Sequence, residues 1–420
     1  MNENKKIAII LGRGVEGCGV TKNAVEFVKF HKNAHVFAVA DKKWPRHDSM
    51  KLTYTGFKCA DASEVEKIIS EINDNFDALL VYSVPSVKHS EMCVDNFVNM
   101  LGKIKLPKTM VQVDHNIISI LRNAKLMDIC NSMDRLLTHS VSGAFAKWCG
   151  ENAIHTPLVS MGVGFNYDMH REQWWKPIDE QNDMHVKWIG RCALWKGPVE
   201  MINLHNDHLR QHGFITTLEG LEASVQSLII THHDGGPHGE RKNPRDVNEC
   251  IRGARRKQAL DLYGKEKPGD APWLYPDYKN EECMERLSRC AFGADLYRLK
   301  KEYYGNNIEY CHAEVISSGT VPLFHRHFGD HIIHPKTGLP CTHGFSGTVW
   351  YDPDNQDHTA EQMIKLAGDR VMRDEWREAS FEFWKGHSDS SVVNVDIRDK
   401  VLSATPGTGN RFAGVERFFS

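Results

Sequence analysis

Residues 7–22 read IAIILGRGVEGCGVTK, five apolar residues from Ile7 to Leu11 running straight into a glycine-rich turn. A short unbroken apolar run closed by glycine signals a strand buried on both faces. The turn behind it leaves backbone N–H groups at a helix start open to a phosphate or a sugar hydroxyl. Gly12, Gly14 and Gly17 satisfy G-x-G-x-x-G, and Asp41 closes the next apolar run, as in an NAD-binding unit. An NAD-dependent oxidoreductase and a purely structural turn both stay open at this point. A phosphate loop of the G-x-x-x-x-G-K-S/T type does not, because Val20 and Thr21 follow Gly19 where Lys and Ser or Thr are needed.

The same alternation of short apolar run and helical stretch continues outward through Val36 to Ala40, Ala78 to Val84, Met110 to Val113 and Leu136 to Thr138. After a polar, tryptophan-rich segment from Trp174 to Met184, a second series follows: Val186 to Ile189, Phe214 to Leu218, Leu228 to Ile230 and Ala313 to Ile316. Such a pattern predicts an α/β fold with parallel sheets covered on both faces. The expected division is two Rossmann-like domains, residues 1–180 and 181–385, with a C-terminal segment and tail from 386 to 420. Open parallel sheets bind ligands at the carboxyl ends of their strands, so a central cleft where the two domains face each other is the expected site. From Asp234 to Asp277 the pattern breaks into a long stretch rich in Gly, Pro and charge, holding Arg241, Lys242, Arg245, Arg252, Arg255, Arg256 and Lys257. A loop of this length in a compact domain is usually functional or mobile.

A chain of 420 residues exceeds one ordinary core, and 41% hydrophobic with 25% charged residues is a globular composition. The formal net charge of −3 gives no global positive field, so contact with nucleic acid would need a local basic surface. No apolar run is long enough to cross a bilayer, and Met1 to Lys6 is polar without a signal-peptide core; a soluble, cytoplasmic protein is expected. The 11 cysteines include no C-x-x-C pair and read as free, mostly buried thiols.

Three groups of residues carry chemistry. Arg191 and Lys196 lie five apart just beyond the run ending at Ile189, where paired cations suit a diphosphate leaving group; two solvated surface cations would look the same. Glu309 and Glu314 precede Gly319-Thr320-Val321-Pro322, where a carboxylate could accept ribose hydroxyls or simply favour a helix N-terminus. Asp114-His115 follows the Met110 to Val113 run, placed either to take a proton from an acceptor hydroxyl or to cap the next helix. The histidine groups His232, His233, His238 and His325, His327, His331, His334 have spacings that match no zinc pattern, so no metal is expected.

Together the segments Arg13 to Lys22, Ser83-Val84-Pro85, Asp114-His115, Trp188-Ile189-Gly190-Arg191, Trp195-Lys196-Gly197, Glu219-Gly220-Leu221-Glu222 and Leu299 to Phe324 resemble the DNA α-glucosyltransferases of the T-even bacteriophages, a GT-B family. Their order persists from about Ile7 to Ser391. The resemblance implies retaining transfer from a UDP-sugar to 5-hydroxymethylcytosine in double-stranded DNA, with the target base flipped out of the stack. Because relatives use UDP-arabinose, it implies glucose or arabinose as the sugar. It also implies roles for single residues. Gly17, Cys18, Gly19 and Val20 would lie against sugar and phosphates, Arg191 and Lys196 on the diphosphate, Glu309 and Glu314 on sugar and ribose, and Leu218 and Glu219 near uridine. Asp114, with His115 beside it, would be the base. By their charge, Arg13 and the loop residues Arg241, Lys242, Arg252, Arg255 and Arg256 would meet DNA phosphates. The UDP-sugar is a co-substrate and no cofactor or metal is implied. The alternative is a GT-B enzyme acting on a non-DNA acceptor.

Three departures from the family stand out: Val113 where the family has a histidine, a longer basic loop, and a tail past Ser391. That tail runs through a flexible Pro406 to Gly409 stretch into Val415 to Ser420, where Phe418 and Phe419 would either dock on a partner or pack back onto their own domain. By resemblance to replication-linked phage proteins, the partner would be a sliding clamp. The same resemblance places the protein in the cytoplasm of an infected bacterium.

Overall fold

The run from Ile7 to Leu11 is an interior strand of a parallel sheet, and its alternate residues go to opposite faces. The computed structural model describes residues 4–12, 19–41, 53–85, 89–112, 123–138, 144–190, 196–219, 274–275, 280–296, 309–330, 332, 337–344 and 346–405. Among these the chain forms two compact units, one from the residues up to Asn166 and those from Ser388 on, the other from Tyr167 to His387.

In unit 1, strands β1 (Ile7–Leu11), β2 (Ala34–Val39), β3 (Tyr54–Phe57), β4 (Ala78–Ser83), β5 (Lys108–Gln112), β6 (Arg135–Thr138) and β7 (Leu158–Ser160) pair in parallel in the order β3-β2-β1-β4-β5-β6-β7. Helices α1 (Gly19–Phe30), α2 (Ala62–Asn75), α3 (Glu91–Lys103), α4 (Asn123–Ser132) and α5 (Ala144–Glu151) connect them. Helix α2 shows why: Asp61 accepts N–H bonds from Ser63 (2.9 Å) and Glu64 (3.4 Å), and the buried Val65, Ile68, Ile69 and Ile72 make one stripe at i, i+3, i+4, i+7. That stripe and the Val94, Phe97 and Leu101 face of α3 pack with Ala8 and Ile10 of β1. Ile7, Ile9 and Leu11 point the other way, onto Ala24 and Phe27 of α1.

Strand order reverses between β1 and β4, and there the Gly12 N–H donates to the Ser83 carbonyl at 2.8 Å. A Cβ on Gly12 would lie 2.6 Å from backbone atoms of Ser83, Val84 and Pro85, so only glycine lets the two strand ends meet. Asp41 is committed elsewhere: its carboxylate accepts the N–H groups of Cys59 (2.6 Å) and Ala60 (2.7 Å), the backbone turn that leads into α2. The acidic residue that prompted the dinucleotide reading is thus a structural acceptor.

Unit 2 contains β8 (Asn182–Ile189), β9 (Ile215–Glu219), β10 (Leu274–Tyr275), β11 (Cys290–Asp295), β12 (Val321–His325) and β13 (Val349–Tyr351), parallel in the order β10-β9-β8-β11-β12-β13. Its helices are α6 (Tyr167–Trp174), α7 (Pro198–Leu204), α8 (Asn280–Ser288), α9 (Tyr310–Ser317), α10 (Arg326–Gly329), α11 (Gln356–Gly368) and α12 (Arg370–Ser388). The expected strand Ala313 to Ile316 is part of helix α9, a correction. Every residue from His312 to Ser317 is buried, and a short buried helix with Ala313, Val315 and Ile316 cannot be told from a buried strand by its apolar residues alone. The expected strand Leu228 to Ile230 lies outside the described residues.

The chain returns to unit 1 as α13 (Ser390–Leu402), capped by the Asp389 carboxylate on the Ser391 N–H (2.8 Å). Its Val393, Ile397 and Val401, spaced by four, complete the face of the first sheet that holds Ile7, Ile9 and Leu80. The return is fixed where Phe165 donates its N–H to Ser388 (3.1 Å) and accepts from that of Ser390 (2.9 Å).

Candidate functional site

At the carboxyl ends of the unit 2 strands, the backbone beyond β8 is pressed onto the end of β11. Gly197 has φ 72°, in the left-handed region, and a Cβ there would fall 2.6 Å from the Leu296 carbonyl oxygen. The buried Trp188 Nε1–H donates to the Lys196 carbonyl at 3.1 Å. These contacts fix the origin of the Lys196 side chain, which is almost wholly buried. Its ammonium lies 3.5 Å from Asp295 Oδ2, is ion-paired with Glu309 Oε2, and is 3.9 Å from Cys311 Sγ. Burial works against the Lys196 charge, but Asp295, with Cys311 and Glu309, outweighs it and holds the ammonium well above the ordinary lysine range. For Asp295 burial dominates: despite Lys196, its carboxyl is pushed up to about 7. Asp295, Glu309 and Cys311 bring their ligand atoms within 4.8 Å of one another, and the Lys196 ammonium stands among them where a metal cation would otherwise be placed.

Beneath this cluster lies His312, wholly buried on α9. Its Nδ1 accepts the Glu309 N–H at 3.1 Å, so the ring proton of the neutral tautomer is assigned to Nε2, 3.9 Å from Asp295 Oδ2. The ring stacks on Phe328 with centroids 4.3 Å apart and meets Phe324 edge-on at 4.5 Å. Burial pushes His312 down to about 3, and His185, buried beside Lys187, down to about 4.

The unfolded chain therefore binds more protons than the folded one from about 6.5 down to these values. Stability from both imidazoles is full above about pH 6.5 and is lost as pH falls toward 4 and 3. A His312→Phe protein is expected to show a flatter fall in Tm between pH 7 and pH 5 than the parent. The difference between the two curves isolates His312 from Asp295, whose raised carboxyl acts with the opposite sign. Parallel curves would show that His312 is not held neutral by its surroundings.

Of the residues singled out from sequence, the structure brings together Lys196 and Glu309. Glu314 is buried one turn further along α9, and Leu218 and Glu219 end β9 beside the close of β8, with Trp188 opposite Leu218 and Ile189 opposite Glu219. Gly19 and Val20 open α1. His325 accepts the His327 N–H at 3.1 Å and caps α10. Gly17, Cys18, Asp114, His115, Arg191, His331 and His334 lie outside the described residues, as do Arg13, Arg241, Lys242, Arg252, Arg255 and Arg256, the His232 to His238 group, and Phe418 and Phe419. Sequence reasoning missed Asp295 and His312. An acidic residue closing the short buried run from Cys290 was the available signal for the first. Among the described residues Cys59, Cys93, Cys130, Cys149, Cys283, Cys290, Cys311 and Cys341 take part in no disulfide, and no helix is long and apolar enough to cross a membrane.

Two parallel sheets of this topology match the GT-B fold. Trehalose-6-phosphate synthase OtsA shares that fold at 11% identity, with a TM-score of 0.62 over 96% of this chain and 100% of its own. The chain belongs to the DNA alpha-glucosyltransferase family, which residues 18–371 match. The DNA alpha-glucosyltransferase of Enterobacteria phage T4 is 29% identical over 404 residues, 92% of this chain and 97% of that one. A solved alpha-glucosyltransferase in complex with UDP superposes with a TM-score of 0.79 at 26% identity, covering 95% of this chain and 100% of its own. Another, in complex with UDP-glucose and DNA containing an abasic site, gives 0.79 at 27% identity over 94% and 99%. The chain is accordingly an enzyme of the DNA glycosyltransferase class, and the oxidoreductase reading falls.

Proposed function

We propose that this enzyme moves a sugar from a UDP-sugar to 5-hydroxymethylcytosine in double-stranded phage DNA, with retention at the anomeric carbon and with the target base flipped out of the stack. The observation that carries the donor half is the buried Lys196 ammonium, ion-paired with Asp295 and Glu309 at the carboxyl ends of the second sheet. A fixed cation in a water-poor pocket stabilises the charge that develops on a departing diphosphate without help from a metal. In this reading Arg191 joins Lys196 on the diphosphate, Glu309 and Glu314 hold sugar and ribose, and Leu218 and Glu219 flank uridine. The N-terminal loop of Gly17, Cys18, Gly19 and Val20 lies against sugar and phosphates, and Asp114 takes the acceptor proton. Arg13 and the basic residues between 241 and 256 contact DNA phosphates.

Glucose is favoured as the sugar by the UDP-glucose complex of the relative, with arabinose the second choice. Incubation with UDP-glucose or UDP-arabinose and either hydroxymethylated or plain cytosine DNA decides the matter. The expected result is UDP release and a hexosyl mass gain with hydroxymethylated DNA alone, the α-anomer being read by NMR. A pentosyl gain would change the donor, and UDP release without DNA modification would move the acceptor elsewhere. The Phe418-Phe419 tail is read as a sliding-clamp peptide in the cytoplasm of the infected bacterium. Deletion of Arg411 to Ser420 that left clamp retention in a pull-down unchanged would remove that role.

A further inference from the structure

Asp295 has no part in these roles, yet it is wholly buried and faces the cation that has. We propose that Asp295 is a positioning residue, the standing counter-ion of Lys196, and that arrival of a nucleoside diphosphate at Lys196 is matched by uptake of a proton onto the Asp295 carboxylate. The proposal rests on the reading of Lys196 as a diphosphate ligand.

The argument is one of charge and mobility. One ammonium here already faces two carboxylates, and a diphosphate adds at least two further negative charges, of which Arg191 of the proposed function offsets one. Like charges gathered in a water-poor space repel strongly, so each of the two carboxylates must leave or be neutralised. Glu309 can leave: its side chain is 22% exposed and sits at the start of α9. Asp295 cannot. It closes β11, which is hydrogen-bonded to β8 and β12, and the backbone beyond it is clamped under Gly197.

Among the described residues the charged and titratable groups around Asp295 are Lys196 from the segment after β8 and Glu309, Cys311, His312 and, further off, Glu314 at and along α9. On either side stand the apolar Phe324 of β12 and the Trp188-Ile189 end of β8. His312 stays neutral down to about pH 3, and burial keeps Cys311 a thiol, so neither takes up the proton near neutrality. Asp295, already held near 7 by its burial, is the group that additional negative charge would tip into the protonated form.

The test is calorimetric titration of the full-length protein with UDP near pH 8, in HEPES and in Tris, whose ionisation enthalpies differ. At that pH the terminal phosphate of UDP is already ionised, so it releases no proton on binding. The parent protein is expected to take up about one-half to one proton, read from the buffer dependence of the binding heat. Asp295→Asn should bind UDP with no buffer dependence, whereas Asp295→Glu, which restores an ionisable group, should regain it; a purely structural role would not separate the two. Binding to the parent without buffer dependence overturns the proposal, as does an Asn variant that keeps the full uptake. Should the Asn variant fail to fold, the parent and the Glu variant still decide. No UDP binding to the parent at all would instead strike at the donor-site reading beneath it.

Discussion

If Lys196 binds the diphosphate, a Lys196→Ala enzyme is expected to turn over on the order of 100- to 1,000-fold more slowly and to bind its UDP-sugar more weakly, because a cation there acts both before and during departure. Breaking a buried ion pair ordinarily costs about 3–5 kcal/mol of stability, which could disguise a folding defect as a catalytic one. Here the stranded partner has a way out. Burial has already brought Asp295 to about 7, so without Lys196 it takes a proton at little cost near neutral pH. The double variant Lys196→Met with Asp295→Asn removes both charges at once, and its melting curve should stay close to that of the parent. Unchanged donor affinity by calorimetry in a folded Lys196 variant would show that the diphosphate binds elsewhere.

The second large effect is expected at Asp114. Strand β5 ends at Gln112, and residues just beyond the carboxyl ends of strands line the crevice of an open parallel sheet. If Asp114 takes the acceptor proton, Asp114→Asn should lower turnover by a factor on the order of 100 or more and leave UDP affinity intact. Equal losses in binding and turnover would point to a capping or structural carboxylate, and a loss confined to His115 variants would move the proton to the imidazole.

How much of this was legible in the sequence follows from burial. Strands β1 and β4 were readable because they are short apolar runs ended by a polar residue or glycine, and of β8 only the buried end from Val186 to Ile189 was, its first half being polar. Strand β11 was not: Cys290 to Asp295 contains alanines and a glycine in place of branched residues, yet all six positions are buried. Helix α9 failed in the opposite sense, its apolar run imitating a strand. In the site, Lys196 and Glu309 could be found from position relative to strand and turn. Asp295 and His312 could not, since their importance lies in what burial does to them, and that depends on β8, β12 and α10 closing around them from distant parts of the chain.

The closure of the first sheet by α13 sets an order of assembly on the ribosome. Residues up to Ser160 supply every described strand of unit 1, but one face of that sheet waits for Val393, Ile397 and Val401, which are made about 230 residues later. At about 5–20 residues per second the delay is on the order of 10–50 s, during which Ile7, Ile9 and Leu80 lack part of their cover. Unit 2, whose last described element ends at Ser388, has all of its described parts in hand before the unit that was begun first can be finished. The nascent chain thus reverses the usual N-terminal-first order.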